Sequence, residues 1–107
     1  MTDPTGRVFD ALADANRRYV LEALAERETA TATELAAELP VTRQAVAKHL
    51  AALNEAGLVE SRREGREVRF TVRPARLDAT ARRLADLAAA WDARLAAIKR
   101  LAETDGP

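Results

Sequence analysis

Between Thr42 and Leu58 the chain reads TRQAVAKHLAALNEAGL, and Val46, Leu50 and Leu53 recur there at helical spacing. That stripe predicts one amphipathic helix with its apolar side buried. Thr42 marks the start, because its hydroxyl can accept a bond from an unpaired backbone N–H of the first turn. Gly57 marks the end, because it can take the left-handed conformation that lets Leu58 fold back on the last turn. The opposite face carries Arg43, Gln44, Lys48 and His49. Those side chains suit phosphates and base edges better than a packed core.

The pattern upstream reads as support for this helix. Val8, Phe9 and Leu12 share one side of a short helix over residues 4–13. Asp14 is positioned to cap a second helix over 15–27, whose apolar positions are Tyr19, Val20, Ala23 and Leu24. Thr29 to Thr31 form a polar, β-tolerant link compatible with a short strand. Thr31 and Glu34 have the spacing of a capping box and open a third helix, about 32–39, with Leu35 and Leu39 buried. Pro40 stops it, since proline disfavours helix at the residue before it. Only Pro40 and Val41 then separate it from the Thr42 cap, so the two helices cross steeply as a helix-turn-helix over about 32–56.

After Gly57 the period falls from 3.6 to 2. Val68, Phe70 and Val72 alternate with Glu67, Arg69 and Thr71. Val59 to Arg63 is a more polar partner strand, and Gly65 supplies the positive φ of the turn between them. Two strands alone are barely stable in water, so this hairpin, about 58–73, must lean on the helices. Its outward groups include Arg62, Arg63, Arg66 and Arg69. They read either as phosphate and minor-groove contacts or as charges that blunt an exposed sheet edge.

From about 75 to 104 no proline or glycine interrupts a stripe of Leu77, Ala81, Leu84, Leu87, Ala88, Trp91, Leu95, Ile98 and Leu101. A helix of that length spans roughly 45 Å, whereas a domain of this size is only about 25–30 Å across. The stripe therefore predicts a second copy as its partner, with Leu77, Leu84, Leu87, Trp91, Leu95 and Ile98 at the interface. The competing reading is a shorter helix that frays after about Ile98. Trp91 reads as a packed aromatic anchor; its alternative is the wall of a pocket for an unidentified small-molecule effector. The closing TDGP reads as disordered.

Composition narrows the function. A chain of 107 residues with 48% apolar positions makes one domain, 1–107. No apolar run is long enough for a membrane span and the first residues lack a secretory pattern, so a cytoplasmic protein is expected. Net charge is zero, but residues 1–41 carry four basic and eight acidic groups, and residues 42–76 carry eight basic and four acidic. A basic middle segment in a neutral chain is the footprint of a polyanion-binding face. Cysteine is absent and His49 is the sole histidine, so no metal site is expected. No catalytic constellation or phosphate loop stands out, and Thr42 and Ser61 have no histidine relay. Neither an enzyme nor a cofactor is expected.

The segment from Phe9 to Val72 resembles the ArsR-type winged helix-turn-helix repressors. FDALADANRRYVLEAL is similar to that family's opening, with Ala15 where the family usually has proline. TRQAVAKHLAALNEAGLVESRREGREVRF is similar to its recognition helix and wing, and WDARLAAIKRLAE to the ending of members without a metal site. The resemblance implies a mainly α fold with a small β-hairpin and a long C-terminal dimerisation helix. It implies a homodimeric repressor of double-stranded DNA, with the 43–56 helix in the major groove and the hairpin as wing. Thr42, Gln44, Lys48 and His49 fall on the family's DNA-touching helix positions, and Arg62, Arg63 and Arg66 fall on the wing. Ala47 stands where the family often has serine, so one polar contact is missing. The metal-sensing thiolates and the His and Asp pair of other members are absent. The other class of function compatible with the sequence is a winged-helix interaction module without specific DNA binding.

Overall fold

The computed structural model describes residues 3–104. Its elements are α1 (Pro4–Leu12), α2 (Ala15–Ala25), α3 (Ala32–Glu38), α4 (Arg43–Glu55), β1 (Val59–Glu64), β2 (Glu67–Val72) and α5 (Pro74–Thr104). A capping side chain opens each of the first four helices. Asp3 accepts from the Gly6 N–H at 2.6 Å, Asp14 from Arg17 at 3.1 Å and Thr42 from Ala45 at 3.1 Å. Thr31 and Glu34 complete the reciprocal box, at 3.1 and 2.8 Å. These caps use backbone donors that have no partner inside the helix. At the far end of α4, Gly57 has φ +78°. Its N–H donates to the Asn54 carbonyl and the Leu58 N–H to the Leu53 carbonyl, both at 3.0 Å. Leu58 is thereby folded into the core. Gly57 also lies under Arg76: a Cβ there would come within 2.9 Å of Arg76 Nε.

The core is a single cluster that joins Val8, Val20, Leu21, Leu24, Leu35, Val46, Leu50, Leu53, Leu58 and Val59 with small Ala11, Ala30 and Ala56. It places the three anticipated apolar residues of α4 at full burial. The α2 expectation needs correction. Tyr19 is 57% exposed, and Leu21 takes its place inside. Val20 and Leu24 set the buried face, and Leu21 flanks it on the side of the core, while Tyr19 lies about 100° off on the solvent side. Leu39 is half-buried and extended, at φ −113° and ψ 148°, as the residue before a proline must be.

The strands pair antiparallel in the register Val59↔Val72 to Glu64↔Glu67, closed by Gly65 at φ +62°. The link at 29–31 does join the sheet. Ala30 and Phe70 exchange both backbone bonds, at 3.0 and 2.8 Å. A single residue thus acts as a third strand beside β2 and ties the hairpin to the helices.

α5 starts against the body. Leu77 is half-buried on the chain's own core, and Thr80 is buried with its hydroxyl donating to the Arg76 carbonyl at 2.8 Å. Beyond that the helix leaves its own domain. Leu84, Leu87, Trp91, Leu95, Ile98 and Leu101 are between 47 and 66% exposed. The Cα radius of gyration is 19.7 Å, against about 13 Å for a compact chain of this length. The helix continues through Thr104 without fraying after Ile98; residues 105–107 of the anticipated disordered tail lie outside the described residues. Among the described residues no helix is long and apolar enough to cross a membrane.

Candidate nucleic-acid interface

α4 divides by face. Val46, Leu50 and Leu53 point inward, and Thr42, Arg43, Gln44 and Lys48 are exposed. The Thr42 hydroxyl is committed to its cap. Arg43 donates from Nε to Thr33 Oγ1 at 2.8 Å, which draws its guanidinium across the turn onto α3. Among the described residues, no hydrogen bond or ion pair holds Gln44 or Lys48. His49 differs from its neighbours. It stands between exposed Lys48 and buried Leu50 on the helical wheel, so it is half-buried, and its Nδ1 is buried without a hydrogen-bond partner. Across from it is Asp14 at the start of α2. The Arg17 N–H holds the Asp14 carboxyl below its ordinary value, and His49 contributes in the same direction.

On the wing, Arg62, Arg63 and Arg66 are exposed and likewise without a partner among the described residues. The register separates them. Arg62 sits opposite Arg69 and Arg63 opposite Val68, so the two occupy opposite faces of the hairpin. Arg66, in the turn, lines a cleft of about 610 Å³ together with Arg43, Ala47 and the first turn of α3 at Thr31 and Thr33. The structure thus brings the first cation of α4 and the tip of the wing to one groove.

Arg69 corrects the expectation for the fourth wing arginine. Its alternation does place it on the polar face, but its side chain is only 20% exposed and fully engaged. Nε donates to Thr29 Oγ1 at 2.8 Å, Nη1 to Glu67 Oε2 at 2.9 Å and Nη2 to Glu34 Oε1 at 3.0 Å. Beside it the Thr71 hydroxyl donates to the Glu28 carbonyl at 2.9 Å. Glu34 is held below its ordinary 4.5, first by the Thr31 N–H and then by Arg69, while Glu67 and Glu34 raise Arg69. A carboxyl with a lowered pKa contributes stability above its ordinary value and loses it as the pH falls through the lowered one. The clasp is therefore intact throughout the neutral range.

Among the described residues no three His, Cys, Asp or Glu side chains gather as a metal site. With no cysteine and a single histidine, the donors that hold zinc tightly are missing. Calorimetric titration of tag-free protein with zinc is expected to show no stoichiometric binding. A sub-micromolar site per chain whose filling also releases DNA would overturn that expectation.

Comparison with known proteins places this geometry. A helix-turn-helix domain family matches residues 12–62. The chain is 37% identical over 100 residues to the HTH-type transcriptional regulator Rv2034 of Mycobacterium tuberculosis, covering 94% of this chain and 90% of that one. Its fold is similar to an ArsR-like transcriptional regulator from Rhodococcus sp. RHA1, with a TM-score of 0.86, 48% identity and 92% of each chain covered. It is also similar to the homodimeric winged helix-turn-helix DNA-binding domain Mb0332 from Mycobacterium bovis. That match has a TM-score of 0.64 and 32% identity, and covers 78% of this chain and 80% of that one.

Proposed function

Because the chain belongs to the ArsR-type winged helix-turn-helix transcriptional regulators, we propose that it acts as a homodimeric repressor of an inverted-repeat operator. In this reading residues 1–107 form one domain, α3 and α4 the helix-turn-helix, and the β1–β2 hairpin the wing. α4 enters the major groove. Gln44 offers the amide that pairs with an adenine edge, and Lys48 and the exposed side of His49 lie beside it. Arg43, drawn toward α3, faces phosphate, and Arg62, Arg63 and Arg66 follow the backbone from the wing.

One observation carries the reading. Lys48 on α4 and Arg62, Arg63 and Arg66 on the wing are exposed cations without a carboxylate partner among the described residues, and Arg66 shares a groove with Arg43 at the start of α4. Exposed cations on a wing beside a helix shaped for the major groove are what a phosphate backbone complements. A second copy on α5 would set two such faces for half-sites about 34–36 Å apart.

Titration of the protein's own upstream DNA by fluorescence polarisation tests the assignment. Gln44→Ala is expected to cost about 1–3 kcal/mol on the cognate site and to relax base preference at one position. Wild-type affinity and preference in that variant would remove Gln44 from base readout. Absence of any preference in the wild type would favour an interaction module instead.

A further inference from the structure

The wing has a handle on the helix-turn-helix that the functional assignment does not use. A two-stranded hairpin holds no fixed position by itself. Here Ala30 and the Thr71 hydroxyl, on the Glu28 carbonyl, tie β2 to the link, and Arg69 adds a side-chain tie that spans three elements and reaches α3. It takes Thr29 from the link, Glu67 from its own strand and Glu34 from the first turn of α3. The connection continues inward: Thr33 of that same turn accepts from Arg43, the first residue of α4. A string of polar contacts therefore runs Arg69–Glu34, then through one helical turn, then Thr33–Arg43. It ends at the residue that shares a groove with Arg66 of the wing tip.

We propose that Arg69 is a positioning residue that sets the wing relative to α4, so that the wing arginines meet the duplex when α4 is seated in the major groove. The inference rests on the DNA-binding reading above. Arg69 itself does not touch DNA. Its guanidinium is turned toward α3 and the link, with Nε, Nη1 and Nη2 all committed and little of the side chain in solvent. Arginine suits the place, because a rigid planar fork can serve three acceptors at fixed angles where a lysine offers a point charge.

The sign of a charge-removing substitution separates this role from its rivals. Glu34→Gln takes away the α3 anion facing Arg69 and leaves only a neutral acceptor, yet glutamine still completes the Thr31 capping box, so α3 keeps its start. On electrostatics alone, neutralising an acid beside a polyanion site raises affinity. Positioning requires the opposite. Glu34→Gln is expected to weaken operator binding about three- to tenfold. Hydroxyl-radical protection should be lost at the flanks under the wing and kept at the centre under α4. Arg69→Lys, which retains the charge but not the fork, is expected to do the same. The two together should be no weaker than the worse single, since they break one link.

If Glu34→Gln binds at or above wild-type affinity, or its flanking protection is unchanged, the clasp does not position the wing. Additive losses in the double variant would instead make Arg69 an independent phosphate contact and overturn the proposal. If the wild type protects no promoter segment, the DNA-binding reading fails and the inference falls with it. If the wild type protects its site and only the variants are unaffected, the clasp alone is wrong.

Discussion

Replacing Leu84 and Leu95 together by glutamate is expected to convert the protein into monomers and to lower operator affinity by about a hundredfold or more. The expectation comes from what α5 leaves uncovered. Leu84, Leu87, Trp91, Leu95, Ile98 and Leu101 form one stripe, and each keeps roughly half or more of its surface in solvent. Contiguous apolar patches of that extent are unusual on monomers. Phe9 on α1 is also 47% exposed and lines an apolar cleft of about 360 Å³ with Leu84 and Leu87. The uncovered surface thus continues from α5 onto α1, broad enough for an isologous seam. Trp91 sits near its middle with Arg94 5.2 Å over the ring, an arrangement that offers a large area to a partner at low entropic cost. Two glutamates per chain would place like charges on both sides of a two-fold axis, in place of the apolar contacts that would close the seam. Affinity then falls because two half-sites no longer bind as one unit. Neither leucine contributes to the buried core, so the monomer should stay folded. Light scattering at micromolar concentration reads the first effect and operator titration the second. A double variant that remains dimeric and binds DNA as before would take α5 out of this role.

What the sequence made legible followed the range of each interaction. The Thr31–Glu34 box, the Thr42 cap and the Gly57 stop all act within a few residues, and each was readable from spacing alone. The hairpin was readable for the same reason: a change of period around Gly65 is a local signal. The Arg69 clasp was not, because its decisive partners Thr29 and Glu34 lie 40 and 35 residues away. Alternation could say which face Arg69 occupies. It could not say that Ala30 lies beside β2 and brings Thr29 to that face. The double reading of residues 29–31, as link or strand, was the one hint, and two backbone bonds to Phe70 resolve it. His49 was legible as a face but not as a depth. A residue between an exposed and a buried position is assigned by the packing of α2, which no single-helix pattern contains. Tyr19 failed similarly, since an aromatic at the margin of a stripe counts as apolar whether or not anything covers it.

The two faces of α4 should be separable by mutation, and Leu50→Ala shows the larger effect. Leu50 is fully buried on the same helix that carries Gln44 and Lys48 outward. Removing three carbons there forfeits their transfer free energy and leaves a cavity that the packed neighbours Leu53, Val46 and Leu35 can only partly close. A loss of about 2–5 kcal/mol is expected. Against a total of about 5–15 kcal/mol for a domain, this is enough to lower the urea midpoint markedly with the slope unchanged. Gln44→Ala, on the solvent side, should change stability by no more than about 0.5 kcal/mol. Because a dimer's apparent stability depends on concentration, both must be melted at the same protein concentration as wild type. The folded fraction of Leu50→Ala should still prefer the wild-type operator, since none of its base-facing side chains has changed. Gln44→Ala should melt like wild type and lose that preference. A Leu50→Ala protein that melts normally, or one that folds but reads a different base, would mean that the inward and outward faces of α4 are misassigned.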